Sequence, residues 1–290
     1  MRKFSGPVIT AGCKVNLYLE VLGRRPDGYH DLRTLLYPLP EPADRLEISS
    51  LPKGRGLEFD CDLKALCGCS NTVVRAYQAF GKATGFWPDL AVYLSKSIPM
   101  GAGLGGGSSD AAAMLGYLNE RAGDAALSQS ELLGLSAHIG ADVPFFLGYG
   151  PAWAEGIGER LTPADLGLEG FHLLLACPDL GISTAWAFRA LDADREKNQG
   201  LSGFLTCAPE RINSTFRHCL RLWNSFEHVV FPVHPELRRF KEKLLRLGAA
   251  GVVLSGSGSG ICALFRGRAQ AEDAAGALKK FLVAAYVHAL

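Results

Sequence analysis

A glycine-rich segment, set between a strand pattern and a helix pattern, constrains the fold of this chain more than any other feature. Five of the seven residues at 101–107 are glycine, and two serines follow them directly. Residues 90–98 alternate as a strand, and residues 108–117 have the spacing of a helix. Free backbone N–H groups at a helix start, helped by the helix dipole, form a cradle for an anion. The segment therefore predicts a phosphate-binding loop rather than a hinge.

Two common phosphate loops do not fit this segment. The P-loop pattern is absent, since Gly81-Lys82 is followed by Ala83 rather than by serine or threonine. Residues 101–106 match the G-x-G-x-x-G pattern formally, but a dinucleotide site also needs a following strand that ends in an acidic residue. Residues 121–124 lead instead into another helix pattern. A dinucleotide site is therefore disfavoured.

Composition and charge exclude several classes of protein. The 290 residues are 48% hydrophobic and 20% charged, which allows a substantial core and excludes intrinsic disorder. The 30 basic and 29 acidic residues nearly balance, which argues against a nucleic-acid binder. No apolar run reaches the roughly 18 residues that a membrane span needs. Because the first residues also lack the apolar region of a signal peptide, we expect a cytoplasmic protein.

The eight cysteines do not have the spacing of a metal site. Cys61, Cys67 and Cys69 lie close together, but no second pair of cysteines or histidines completes a zinc-finger pattern. We therefore expect free, mostly buried thiols and no metal held by the protein alone.

The hydrophobic pattern gives a coarse order of strands and helices. At residues 14–21, Val15 and Leu17 share one face, while Lys14 and Asn16 share the other, which predicts a half-buried strand that displays the two polar groups. The other predicted elements are a turn at 26–28, a strand at 46–48, helices at 71–81 and 128–139, a strand at 171–177, a loop at 191–203, a helix at 235–247, strands at 252–254 and 261–265, and a closing helix at 269–284.

The glycine segment resembles a loop of the GHMP small-molecule kinases. Residues 99–109 are similar to that family's P-x-G-x-G-L-G-S/G-S-S motif, and the alternating serines and glycines at 255–260 resemble its second glycine loop. The resemblance implies an α+β class and the two-domain GHMP kinase fold, with an N-terminal ribosomal-S5-like domain and a C-terminal ferredoxin-like domain. We place the first domain, with the phosphate loop and the catalytic residues, at 1–153 and the second at 154–290.

Further motifs resemble one branch of this family. Lys14-x-Asn16-Leu17, residues 23–30 and residues 140–146 are similar to members that use ATP to phosphorylate the 2-hydroxyl of a cytidine diphosphate-linked alcohol. In those members the reaction serves isoprenoid precursor synthesis by the non-mevalonate route. The family usually has Pro-Ala where this chain has Gly12-Cys13. Two alternatives stay open: a GHMP kinase for another alcohol, such as homoserine or mevalonate, and a non-catalytic sensor with the same fold.

The resemblance implies a role for each matching residue. Asp142, between a helix end and an apolar run, would be the general base, and Lys14 would neutralise charge and orient either Asp142 or the phosphate. Lys96 would meet ATP phosphate or ribose, unless it is a solvated edge lysine. Asn71 is either an adenine-side residue or a helix cap, and Asp110 either approaches the metal or stabilises its helix.

The complete predicted site has three parts. The catalytic residues are Lys14 and Asp142. The ATP-binding residues are Asn71, Lys96, Pro99, Met100, Gly101, Ala102, Gly103, Leu104, Gly105, Gly106, Gly107, Ser108 and Ser109. The substrate-binding residues are Asn16, Tyr29, His30, Thr184 and Phe188. The aromatic faces of Tyr29, His30 and Phe188 suit a cytosine ring. We expect ATP with Mg²⁺ as cofactor, a cytidine diphosphate-linked small molecule as substrate, no nucleic acid or membrane partner, and a monomer or weak homodimer.

Overall fold

Two β-sheets with helices packed against them make up the computed structural model, which describes residues 6–148, 150–197 and 222–290. Its strands are β1 (Val8–Arg24), β2 (His30–Ser50), β3 (Leu57–Cys61), β4 (Leu90–Ser95), β5 (Ala152–Gly156), β6 (Arg160–Pro163), β7 (His172–Pro178), β8 (Trp223–Asn224), β9 (Gly251–Leu254), β10 (Ile261–Phe265) and β11 (Leu282–Ala289). Its α-helices are α1 (Thr72–Thr84), α2 (Gly106–Arg121), α3 (Gln129–Ala137), α4 (Thr184–Lys197), α5 (Glu227–Val233), α6 (Pro235–Arg246) and α7 (Arg268–Leu278).

The first sheet is built around the long strands β1 and β2. Its order is β3-β4-β2-β1-β8, and β5 and β6 are added along β2. The C-terminal half of β2 pairs with β4, while its N-terminal half pairs with β5. Leu46 on β2, Phe80 on α1 and Met114 on α2 are fully buried in one hydrophobic cluster, so the two helices cover this sheet. That packing places the start of α2 beside β1 and β2.

The strand β1 is irregular where it approaches the glycine segment. Its register against β2 shifts between Ala11 and Cys13, where residues 40–43 of β2 bulge out opposite Gly12. A Cβ on Gly12 would lie 2.6 Å from the carbonyl oxygen of Leu39, so the close approach of β2 favours glycine here. Immediately after the bulge, the N–H of Lys14 donates to a carbonyl oxygen of the glycine segment at 3.0 Å. Gly12 and Cys13 thus carry the strand, and with it Lys14, directly to the loop.

The second sheet is antiparallel and has the order β11-β7-β10-β9. Helices lie between β7 and β9 in the chain, and α7 lies between β10 and β11, so the order of elements is βαββαβ. Leu174, Ile261 and Leu278 are buried in the cluster that joins this sheet to its helices. This is the ferredoxin-like arrangement that the resemblance predicted.

Three local predictions are wrong, each because tertiary packing overrides the local pattern. The strand at 14–21 is buried on both faces rather than one, since Lys14 and Asn16 are only 4% and 3% exposed. Helix α4 continues to Lys197, where residues 191–203 were predicted as a loop; residues 198–203 lie outside the described part of the chain. The closing helix ends at Leu278, because the chain beyond it pairs with β7 as strand β11.

The predicted border between 153 and 154 falls inside β5. This strand pairs with β2 of the first sheet, and β6 pairs with β5. Strand β8, far along the chain, also pairs with β1. The two-domain division stays a prediction, and we propose that its border lies after Pro163, with β8 returning to the first sheet.

Within the described ranges, no helix has the length and apolar character needed to cross a membrane.

Candidate active site

A cavity of about 610 Å³ is lined by residues of β1, β2 and α4 and by Gly256 and Ser257, and the glycine-rich segment forms much of its wall. Of the predicted site residues, the wall contains Lys14, Asn16, Asn71, Lys96, residues 99–108, Asp142, Thr184 and Phe188. Three others do not contribute to it: Ser109 and His30 are buried, and the Tyr29 side chain is 61% exposed. The fold therefore brings together most of the predicted catalytic and ATP-binding residues from distant parts of the chain.

The glycine segment has a backbone conformation that suits an anion. Gly101, Gly103 and Gly105 have φ angles of +68°, +72° and +72°, in the left-handed region that residues with a side chain rarely adopt. Gly105 is the N-cap of α2, and the first N–H groups of a helix have no partner within the helix. Gly106 and Gly107 line the cavity at this helix start. The geometry is that of a phosphate cradle.

The second glycine segment, residues 255–260, packs directly on the first. The backbone N–H groups of Ser259 and Gly260 donate to carbonyl oxygens of the first segment, each at 3.1 Å. The hydroxyl of Ser255 donates to the carbonyl oxygen of Gly103, also at 3.1 Å. A Cβ on Gly103 would lie 2.1 Å from the carbonyl oxygen of Ser255, so the two backbones touch. The second segment therefore fixes the shape of the first.

Lys14 stands at the centre of a buried polar chain. Its ammonium donates to Asn16 Oδ1 at 2.7 Å and to the carbonyl oxygen of Gly103 at 3.0 Å. The same nitrogen lies 3.4 Å from Asp142 Oδ2. Asn16 Nδ2 in turn donates to Thr34 Oγ1 at 2.7 Å. These bonds fix the lysine between the glycine segment and a carboxylate.

Asp142 lies in a tight turn that ends α3. The N–H of Val143 donates to the carbonyl oxygen of Gly140 at 3.0 Å, and the 3₁₀ turn Pro144–Leu147 follows. Val143 and Phe145 are buried, which anchors the turn in the core. The Asp142 side chain is 33% exposed and faces the cavity, so a substrate hydroxyl can reach it.

Lys96 belongs to a second buried charge cluster, with Asp44 and Asp110. Its ammonium donates to Asp44 Oδ2 and, at 2.7 Å, to Asp110 Oδ2. Burial opposes the charge on Lys96, but the two carboxylates outweigh it and raise the pKa of Lys96. Burial also raises the pKa of Asp110 to about 7, against the attraction of Lys96, and Asp44 adds to the rise. The lysine is therefore a paired group in the cavity wall rather than a solvated edge residue.

The predicted aromatic residues of the substrate site divide into a stacked pair and an exposed ring. His30 stacks on Phe188, with ring centroids 4.5 Å apart and planes at 22°. His30 Nε2 also lies 2.8 Å from an oxygen of Asp192, which is on the same helix as Phe188. Phe188 makes an edge contact with Phe226. Tyr29 stands apart on the surface, so the structure does not gather the three aromatic groups around one point.

Two further predicted residues make side-chain hydrogen bonds, one within a helix start and one between distant segments. Asn71 is the N-cap of α1, since its Oδ1 accepts from the N–H of Val73 at 2.9 Å. The hydroxyl of Thr184, the first residue of α4, lies 2.9 Å from that of Ser257 in the second glycine segment. Asn71 therefore has a capping role whether or not it also contacts a nucleotide.

Sequence reasoning missed several residues that support the site. Asp44, Thr34 and Asp192 carry hydrogen bonds to predicted site residues, and Thr72 Oγ1 donates to the carbonyl oxygen of Gly107 at 2.6 Å. A signal existed for Asp44, because it alternates with the buried Leu46 and Ile48 and so points inward on the same strand. Thr34, Asp192 and Thr72 had no comparable signal.

The thiols that the structure describes do not form a metal site. The described cysteines are all free: Cys13, Cys61, Cys177 and Cys262 are buried, and Cys67 and Cys69 are exposed. Cys207 and Cys219 lie outside the described residues. In the part of the chain that the structure covers, no three His, Cys, Asp or Glu side chains are placed to hold a metal ion.

Comparison with known proteins gives the family. The chain matches the model of the GHMP kinases N terminal domain over residues 71–150 and that of the GHMP kinases C terminal domain over residues 210–284. It is 51% identical, over 260 residues, to the 4-diphosphocytidyl-2-C-methyl-D-erythritol kinase of Solidesulfovibrio magneticus, a match that covers 88% of this chain and 87% of the relative. The chain belongs to the GHMP kinase family.

Other relatives and solved structures agree with this membership. The GHMP kinase of the same name from Nitratidesulfovibrio vulgaris is 47% identical over 282 residues, covering 97% of this chain and 98% of the relative. A crystal structure of 4-(cytidine 5'-diphospho)-2C-methyl-D-erythritol kinase superposes with a TM-score of 0.79 at 36% identity, covering 97% of this chain and 98% of that one. A homoserine kinase from Cytophaga hutchinsonii, at 17% identity and a TM-score of 0.70, covers 99% and 96% respectively and shares the fold alone. The predicted α+β GHMP kinase fold and the prediction of a small-molecule kinase are confirmed.

Proposed function

We propose that this GHMP kinase transfers the γ-phosphoryl group of ATP to the 2-hydroxyl of 4-diphosphocytidyl-2-C-methyl-D-erythritol. This reaction is a step in the non-mevalonate synthesis of isoprenoid precursors. The observation that carries the proposal is the pairing of Lys14 with Asp142, 3.4 Å apart, beside the phosphate cradle. A base and a cation next to an anion site are what phosphoryl transfer to an alcohol requires.

Each partner of the pair has a distinct part in the reaction. The Asp142 carboxylate accepts the proton of the substrate hydroxyl while that oxygen bonds to the γ-phosphorus and the bond to the ADP oxygen breaks. The Lys14 ammonium, held by Asn16 and the carbonyl of Gly103, offsets negative charge on the transferred group. Since the Lys14 side chain is only 5% exposed, its charge acts with little screening by water.

The nucleotide would lie along the glycine segment. The N–H groups at the start of α2 would bind phosphate oxygens, with Lys96 and Asn71 at the same wall of the cavity. Mg²⁺ would neutralise phosphate charge. The absence of a three-ligand cluster among the described residues fits an ion that keeps phosphate oxygens and water as most of its ligands.

The cytidine moiety would bind where α4 meets β2. Phe188 and Thr184 line the cavity from α4, and Asn16 lines it from β1. His30 packs on Phe188, and Tyr29 would fold over the base from the exposed turn. Nothing in this site needs a second protomer, so we propose that the enzyme acts as a monomer or weak homodimer.

The test is an ADP-release assay with three candidate alcohols. We expect turnover with 4-diphosphocytidyl-2-C-methyl-D-erythritol and little with homoserine or mevalonate. Asp142→Asn keeps the shape but removes the base, so its kcat should fall roughly 10²- to 10⁴-fold with both ligands still bound. Asp124→Asn, an exposed acid in the turn after α2, is the matched control and should retain normal turnover. Near-normal kcat in a folded Asp142→Asn enzyme would reject Asp142 as the base.

A further inference from the structure

The carboxylate of Asp44 is fully buried beneath the entrance to the glycine segment. The residue is on β2 and is 0% exposed. Its Oδ1 accepts the backbone N–H groups of Ser97 and Ile98 at 2.6 and 2.9 Å, and its Oδ2 accepts from the Lys96 ammonium. The Asp44 carboxylate therefore binds both the backbone at residues 97–98, which leads into the glycine segment, and the Lys96 side chain, which lines the cavity.

Asp44 also contacts the helix that forms the cradle. A Cβ on Gly106, the first residue of α2, would lie 3.3 Å from Asp44 Oδ2 and 3.2 Å from a side-chain carbon of Ile98. The first turn of α2 is thus packed against the same carboxylate that binds Lys96. Asp44 therefore touches both the Lys96 ammonium and the start of α2, while Asp110 on α2 holds the same ammonium.

The Lys96 ammonium keeps one donor for a ligand. An ammonium has three N–H donors. Two are taken by Asp44 and Asp110, and Lys96 has no further hydrogen-bond acceptor among the described residues. Lys96 and Asp110 both line the cavity, whereas Asp44 does not. Removing either carboxylate would free the side chain to rotate, since a lysine has four flexible carbons.

We propose that Asp44 is a positioning residue of the nucleotide site: it holds Lys96 so that the third N–H of its ammonium meets a nucleotide oxygen together with the N–H groups of α2. The proposal rests on the proposed use of ATP at this cavity, but not on the identity of the alcohol. Asp44 does not touch the nucleotide; its effect passes through Lys96.

A double-mutant cycle tests this coupling by direct binding of a non-hydrolysable ATP analogue with Mg²⁺, measured by calorimetry. Asp44→Asn keeps the side-chain shape, but its amide nitrogen would face the ammonium. We expect its Kd to rise roughly 10- to 100-fold, the range for loss of a hydrogen bond to a charged group. Lys96→Met should give a similar rise. If Asp44 acts through Lys96, the double variant should bind no more than about twofold more weakly than Lys96→Met alone.

Asp62→Asn separates positioning of the ammonium from support of the main chain. Asp62 accepts the backbone N–H of Lys96 at 3.0 Å but does not bond to its ammonium. Its effect on Kd should add to that of Lys96→Met instead of vanishing. Asp60→Asn, an exposed acid on β3 whose side chain is 56% exposed, should leave Kd unchanged.

Three results would overturn the proposal: additive effects of Asp44→Asn and Lys96→Met, a normal Kd in folded Asp44→Asn, or equal behaviour of Asp44→Asn and Asp62→Asn in the cycle. If Asp44→Asn does not fold, the double variant is compared with Lys96→Met alone. Equal Kd values then support the proposal, and weaker binding by the double variant contradicts it. Because binding is measured without the alcohol, failure of the proposed substrate would appear separately, as absent turnover by the wild-type enzyme.

Discussion

The contact between the two glycine segments predicts a large effect of a single methyl group at Gly103. Alanine at this position must adopt a φ near +72°, which costs about 1–2 kcal/mol for a residue with a side chain. Its Cβ would also lie 2.1 Å from the carbonyl oxygen of Ser255, so the two segments must separate by more than 1 Å to reach ordinary contact. If two of the hydrogen bonds between them are lost at about 1 kcal/mol each, Gly103→Ala destabilises the enzyme by roughly 3–4 kcal/mol.

Gly85→Ala is the matched control for the free-energy cost of a positive φ in alanine. Gly85 ends α1 with a φ of +74°, and a Cβ there would meet nothing within 4 Å. Gly85→Ala should therefore lower the free energy of unfolding only by the cost of the positive φ, about 1–2 kcal/mol. Denaturant titration of both variants, followed by circular dichroism, measures the difference.

Catalysis should suffer in Gly103→Ala as well. The carbonyl oxygen of Gly103 accepts a hydrogen bond from Lys14 at 3.0 Å, so its displacement moves the ammonium. A shift of about 1 Å in a reacting group can reduce kcat/KM on the order of 10²-fold. Equal unfolding free energies and equal kcat/KM for the two alanine variants would refute steric coupling between the glycine segments.

Three further predictions concern individual side chains. Asp110 has a folded-state pKa near 7, above its ordinary 3.8, so its contribution to stability is present below about pH 4 and is lost as the pH rises to 7. The free energy of unfolding of Asp110→Asn should therefore rise relative to that of the wild type as the pH rises, by roughly 2–4 kcal/mol by pH 8. Chemical unfolding measures this difference, and a difference that stays constant between pH 5 and 8 would contradict the prediction. Asn71→Ala removes the helix cap and should lower the free energy of unfolding by about 1 kcal/mol. Asn71→Asp keeps the cap, so a raised KM for ATP in that variant would show a nucleotide contact separately from the capping role. Tyr29→Ala should raise the KM of the cytidine substrate by an amount equal to about 1–3 kcal/mol without changing stability, since the ring is 61% exposed; if the KM of ATP rises instead, the two pockets have been exchanged.

Predictions from sequence succeed where the deciding contacts are local. The N-cap Asn71 and the capping box between Ser128 and Glu131 need only residues within three positions of each other. The helix predicted from Ser108 also exists, although α2 begins two residues earlier, at Gly106. The closing helix fails past Leu278 because strand pairing with β7 outweighs the helical pattern of the following residues.

The candidate site shows the same division. The glycine segment could be read directly, because only glycine reaches the positive φ of Gly101, Gly103 and Gly105 without strain. The motifs in the sequence also identify Lys14 and Asp142 as candidates, but two separate motifs do not show how far apart these residues lie in space. Their 3.4 Å separation arises because β1 and the turn after α3 both pack against Gly105, where an added Cβ would lie 3.1 Å from side-chain atoms of Lys14 and of Phe146.

The sequence by itself indicated the caps, the family and a glycine segment suited to an anion, since these depend on short motifs and on the conformational freedom of glycine. Only the tertiary structure decided which charges meet. Asp44, Lys96 and Asp110 come from β2, the end of β4 and α2, and pairing of β2 with β4 beneath α2 buries all three together. A buried charge is stable only beside a partner, and that partner is chosen by long-range packing that no local pattern contains.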